Sequence, residues 1–219
     1  MLRTIAVILV LAFGGAAWAQ PSLDCNPHTP EEVRGWRVFL KTLGDDWLLK
    51  RRAEETRKIG DDPSVYRYLD RLYLVIDEGY KLVTLVDCPV DKSAMAYFYE
   101  GYDEVGRFYV VKKGEYEDFY YILVSRNDGA QTRAVSRPAW SPDKTHFVHG
   151  RYSAMNGPDT ISIVGRAQGG LRTEATFDLP CNGRPCTFQW EDASTVSATC
   201  VSGRTLKVAR KDDTWSLVP

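Results

Sequence analysis

Beyond its first nineteen residues the chain has no apolar run approaching the roughly 20 residues needed to span a bilayer, so stable membrane insertion is not expected. It also lacks an excess of either charge. The 28 Lys and Arg residues stand against 29 Asp and Glu, a formal net charge of −1, which leaves no basic field to hold nucleic acid or anionic lipid. No phosphate loop, Gly-x-Ser-x-Gly elbow, His-Glu-x-x-His helix or Gly-x-Gly-x-x-Gly turn occurs, and each absence removes one familiar source of chemistry. Neither a Cys-x-x-Cys pair nor a His-x-x-x-His partner is present, which argues against zinc. Only three histidines occur: His28 before a helix, and His146 and His149, three apart on a strand and therefore on opposite faces. They read as surface or turn residues unable to chelate one metal. No cofactor, metal ligand or catalytic residue is assigned.

What is present at the N-terminus reads as a secretory signal over residues 1–19. Arg3 opens it, residues 5–13 are apolar, and Ala17, Trp18 and Ala19 fit a small-x-small cleavage site. The mature chain is expected to begin at Gln20 and to be exported, to the periplasm or the medium. Loss of Arg3 leaves 27 basic against 29 acidic residues, a net charge of −2. About 200 residues remain, enough for one well-formed core.

An exported chain favours disulfides, and five cysteines survive cleavage. Cys181 and Cys186 flank Asn182, Gly183, Arg184 and Pro185, a turn-rich loop that suits a bridge between them. Cys25 would pair with Cys88 and tie down the N-terminal segment. Cys200 is then the free thiol, with Cys186–Cys200 as the alternative pairing.

Residues 20–60 carry helical periodicity. Thr29 and Glu32 form a capping box with Pro30 at the first helical position, and Val33, Trp36, Phe39, Leu40 and Leu43 mark one face. A second helix opens at Asp45 or Asp46 and ends near Gly60. In it Lys50, Arg51 and Arg52 precede Glu54 and Glu55, a pattern typical of a solvated face.

Residues 61–219 form a different region, with short β-prone runs separated by turn residues about every dozen positions. Runs at 72–76, 80–86, 96–102, 107–112, 119–125, 145–150, 160–164, 171–177, 195–200, 205–209 and 215–218 predict an antiparallel, mainly β domain. Within it Trp140, Ser141, Pro142 and Asp143, then Phe147 and Val148, recur about fifty positions on as Trp190, Glu191 and Asp192, then Val196 and Ser197. A weaker copy runs from Asp91 and Lys92 to Phe98. Units of about 40–50 residues have the length of a propeller blade, with Trp packing between sheets and Asp capping the turn.

The stretch 138–148 resembles the WD40-like repeat of TolB-type β-propellers, whose pattern is a Trp-Ser-Pro-Asp-Gly turn followed by an apolar strand. Lys144 stands where that family has Gly, and the second copy lacks the Pro. The resemblance implies a propeller-like or curved meander body and protein or ligand binding in place of catalysis. A β-sandwich packed on the helices is the alternative.

Aromatic residues concentrate between 97 and 121, where Tyr97, Phe98, Tyr99, Tyr102, Phe108, Tyr109, Tyr116, Phe119, Tyr120 and Tyr121 are interleaved with acids. Strand tyrosines serve as cross-strand packing partners or as a recognition surface. The candidate binding residues are Tyr97, Tyr99, Tyr102, Tyr116, Glu100, Asp103 and Glu104. The expected function is an exported, non-enzymatic binding or interaction module with a protein or glycan partner. The alternative is an envelope hydrolase acting on glycan or peptide, which would need two of these carboxylates facing each other across a cleft.

Overall fold

The computed structural model describes residues 46–60, 62–78, 81–87, 95–115, 118–151, 159–167, 170–181 and 186–218. Residues 1–19 read as a signal, the expected first helix, His28, Cys25, Cys88, residues 91–94 of the weaker copy, Tyr116 and residues 182–185 lie outside them. One helix is described, α1 (Asp46–Ile59). It stops where Gly60 takes a left-handed φ of 44° and donates its N–H to the Thr56 carbonyl.

The rest is antiparallel β structure in four small sheets, none closed into a barrel, an arrangement compatible with a propeller-like fold. The first contains β1 (Val65–Tyr68), β2 (Arg71–Ile76) and β3 (Lys81–Val86). The second contains β4 (Met95–Asp103), β5 (Phe108–Glu115), β6 (Asp118–Ser125) and β7 (Gln131–Ala134). The third contains β8 (Ala139–Trp140), β9 (His146–Arg151), β10 (Thr160–Ala167) and β11 (Gly170–Asp178). The fourth contains β12 (Cys186–Trp190), β13 (Thr195–Cys200), β14 (Thr205–Lys211) and β15 (Thr214–Val218). Strands follow one another in chain order within every sheet, which is the local, meander-like connectivity that short turns favour.

Each sheet packs on the next, with a separate core in every gap. Leu72, Leu74 and Ile76 of the first sheet meet Tyr99, Tyr109 and Val111 of the second. Phe108, Val110 and Leu123 on the other side of the second sheet meet Phe147 and Val164 of the third. Val148, Ile161 and Ile163 then meet Val196, Ala198 and Val208 of the fourth. Among the described residues no apolar cluster joins the fourth sheet back to the first.

Two tryptophans close the inner gaps. Trp140 packs on Phe108 and Phe147, and its indole N–H reaches Asp103 of the second sheet at 2.8 Å. Trp190 packs edge-on against Trp215 and donates to the Ala139 carbonyl of the third sheet at 2.9 Å. The turns after them are built alike, the second one residue shorter. Ser141 N–H bonds the His146 carbonyl and Glu191 N–H that of Thr195, while Asp143 and Asp192 each accept the N–H two residues on. Lys144 has a φ of 61°, the left-handed conformation glycine favours, so the backbone keeps the turn although the residue departs from the pattern.

Three sequence expectations are corrected. Cys181 bonds Cys200, with a Cα separation of 5.2 Å, and among the described cysteines Cys186 is free. Cys186 lies directly opposite Cys200 in the β12–β13 ladder, where regular pairing holds Cβ atoms about 4.5–5.5 Å apart, beyond the ~3.8 Å a bridge prefers. Cys181 precedes the strand and has no ladder to hold it away. His146 and His149 are buried, at 6 % exposure each, because β9 has a sheet packed on both of its faces. Arg52 and Glu55 face the protein; their partners are described below.

Candidate functional site

The aromatic window is built mostly into the core. Alternation on β4 puts Tyr97 and Tyr99 toward the first sheet and Phe98 on the opposite face. A bulge between Tyr99 and Gly101 then returns Tyr102 to the Tyr99 side, opposite Tyr109. Tyr99 is 2 % exposed and donates its hydroxyl to Asp62 at 3.1 Å, with burial the main cause of its raised pKa. Tyr109 is fully buried and donates to the Val75 carbonyl at 2.6 Å. Tyr97 and Tyr102 are half-buried, the first beneath Lys113 and the second beneath Arg126. Tyr99 is therefore a packing residue and not part of a recognition surface, since its ring is the filling between two sheets.

The acids of the window are engaged separately. Glu100 pairs with Lys58 of α1. Asp103 accepts from the Trp140 indole and, at 2.7 Å, from Gly106 N–H, which closes the β4–β5 turn. Glu104 is exposed in that turn. No two of these three carboxylates are brought together as a catalytic pair.

A cluster of buried charge lies along β4. Its edge exposes the N–H and C=O of Tyr97 and the N–H of Tyr99, groups that cannot be left bare. Asp87 accepts from Tyr97 N–H at 2.8 Å, and Glu55 accepts from Tyr99 N–H at 2.7 Å. Arg52 and Arg67 both donate to the Tyr97 carbonyl, at 2.7 and 2.6 Å. The two arginines bind the two acids in turn: Arg67 meets Glu55 at 2.6 Å and Asp87 at 3.2 Å, and Arg52 meets Glu55 at 2.8 Å and also Asp87. Burial pushes the Asp87 carboxyl up and the Arg52 guanidinium down, each opposed by its partners. This cluster docks the helix and ends the sheet; its groups are occupied with one another.

The residues left facing outward are on the first sheet. The pairs Tyr66↔Tyr73, Tyr68↔Arg71 and Val75↔Leu82 put these side chains on one face, opposite the core-facing Val65, Leu72 and Leu74. The rings of Tyr66 and Tyr73 stack with centroids 4.7 Å apart, while Tyr68 and Leu82 are 64 % and 48 % exposed. The fourth sheet ends the stack differently. Its outward face carries Thr187, Gln189, Ser197, Thr199, Thr205 and Lys207. The fourth sheet's outward face is mostly polar, with Ala209 and Val218 beside Lys207, while the first sheet's is mostly aromatic and aliphatic, with Arg71 and Thr84 among the rings. Sequence reading missed the aromatic end, although the alternation of Tyr66 and Tyr68 around Arg67 is a strand signal.

No protein-family model and no curated protein matches the sequence. Among the described residues no helix is long and apolar enough to cross a membrane, and no group of three or more potential ligands is placed to hold a metal ion.

Proposed function

We propose that the chain is an exported, non-enzymatic interaction module of the cell envelope or its surroundings, built on TolB-like repeats, whose docking surface is the outer face of β1–β3. The carrying observation is the aromatic end of the stack. A terminal sheet with no neighbour is normally given a polar outer face, as the fourth sheet has. The first sheet presents Tyr66, Tyr68, Tyr73, Val75 and Leu82 instead, with Arg71 and Thr84 among them. Tyrosine supplies broad amphipathic contact at small entropic cost, which suits a reversible protein partner. The partner is a protein laying an apolar face against this sheet, in the position of a further sheet. The similar turns after Trp140 and Trp190 support the repeat assignment, and the signal-like pattern of residues 1–19 supports export.

A photo-crosslinking residue placed at Tyr68 in the native exporting host tests the reading, with Thr199 on the polar end as control. A discrete protein adduct from position 68 that is absent from position 199 and is lost on Tyr66→Ser is expected. Equal labelling from both positions, or none from position 68, overturns it.

A further inference from the structure

At one end of the molecule the β4–β5 and β6–β7 turns and the adjoining ends of β10 and β11 line a cavity of about 240 Å³ between the second and third sheets. Its apolar wall is Phe108, Leu123 and Leu171, the first two of them almost fully buried. Thr132 adds a hydroxyl, and Arg107 and Arg166 stand in the lining. The two arginines differ. Arg107 is paired with Asp77 at 3.0 Å. Among the described residues no carboxylate pairs with Arg166, whose guanidinium lies 5.2 Å from the centre of the Trp140 ring. Trp140 is itself fixed by Asp103 and by stacking on Phe108. An exposed guanidinium held over a locked indole, beside an apolar wall, is placed to receive an anion.

We propose that this cavity binds a small organic monoanion, a carboxylate on an apolar body, with the carboxylate on Arg166 and the body against Phe108, Leu123 and Leu171. Size sets the class: a dry 150 Å³ cavity holds benzene, so 240 Å³ accommodates on the order of ten non-hydrogen atoms. Charge sets it further. Asp128 also lines the cavity, but hydrogen bonds from Ser125 and Ala130 N–H stabilise its charged form and take it into the turn. One free guanidinium near one fixed carboxylate favours a ligand with a single negative charge over a phosphate-like dianion. Gly106 belongs to the construction, since a Cβ there would stand 1.9 Å from the Phe108 ring and push it from its place.

The site is independent of the docking face of β1–β3, so failure of either leaves the other standing. Phenylacetate, a monoanion of ten non-hydrogen atoms, is the probe, titrated into the mature protein and followed by NMR shifts of the amides of 106–108, 125–132 and 166–171. A dissociation constant on the order of 1 mM or tighter is expected. Phenylacetamide, the neutral isostere, and the Arg166→Gln variant should each bind at least tenfold more weakly. No saturable shift up to about ten times that constant, equal binding of the amide, or undiminished binding by Arg166→Gln overturns the assignment.

Discussion

At the scale of single residues, the clearest consequence of burial falls on His149. It is 6 % exposed, its Nδ1 accepts the Val135 N–H at 3.3 Å, and desolvation lowers its pKa from 6.5 to about 4. Below pH 6.5 the unfolded chain takes up a proton that the native state refuses, so the neutral ring's contribution is fully present above that pH. It is lost as the pH falls toward 4. The loss amounts to roughly 3 kcal/mol across that window. Urea denaturation at pH 7 and pH 4.5 should therefore show a smaller decrease for His149→Gln than for the natural chain, and identical decreases would contradict a buried neutral imidazole. The position of His149 was legible in the sequence as a strand residue pointing away from His146, but its burial was not. Alternation separates the two faces of a strand without saying that both are covered, and β9 lies between two sheets.

At the scale of elements, α1 depends on the buried charges that end the second sheet. Glu55 is 2 % exposed and meets Arg52, Arg67 and the Tyr99 amide together. Glu55→Ala should cost about 3 kcal/mol, because it leaves the buried Tyr99 N–H without its acceptor and two guanidiniums sharing Asp87 as their one remaining carboxylate. Glu54→Ala removes only the half-exposed pair with Arg51 and should cost under about 1 kcal/mol. Chemical denaturation of both variants decides it, and similar losses would show that the Glu55 cluster is no stronger than a surface pair. Spacing alone gave the helix its correct limits and the wrong surroundings: i,i+3 pairs such as Arg52 and Glu55 look alike whether they face water or a sheet edge. The strands show the same division. Runs with strong alternation, such as β2, β10 and β13, were recognisable, while β1, β7, β8 and β12 were missed. All four stand at a sheet edge, where one ladder suffices and short or polar segments serve. The disulfide was misjudged for a related reason. Closeness in sequence favoured Cys181 with Cys186, whereas the ladder that sets Cys186 opposite Cys200 fixes the real geometry.

At the scale of the whole molecule, four sheets in sequence leave two terminal faces among the described residues, and the difference between them connects the fold to its proposed use. The fourth sheet's Thr, Ser, Gln and Lys side chains keep their hydration at no cost to the stack. The first sheet's Tyr66, Tyr68 and Leu82 gain nothing from water, and what they contribute to folding is limited to contacts such as the Tyr66–Tyr73 stack. Such rings are worth about 0.5–1.5 kcal/mol as a pair, far below the 3–5 kcal/mol of a large aromatic in a closed core. The double variant Tyr66→Ser, Tyr68→Ser should thus unfold within about 1.5 kcal/mol of the natural chain, while the crosslink from a probe moved to Leu82 disappears. Tyr109→Ala, whose ring fills the gap between the first two sheets, should lose at least about 3 kcal/mol in the same measurement. If the two serines cost as much as that core truncation, the aromatic face is covered within the folded chain, and its residues hold the fold together instead of presenting it to a partner.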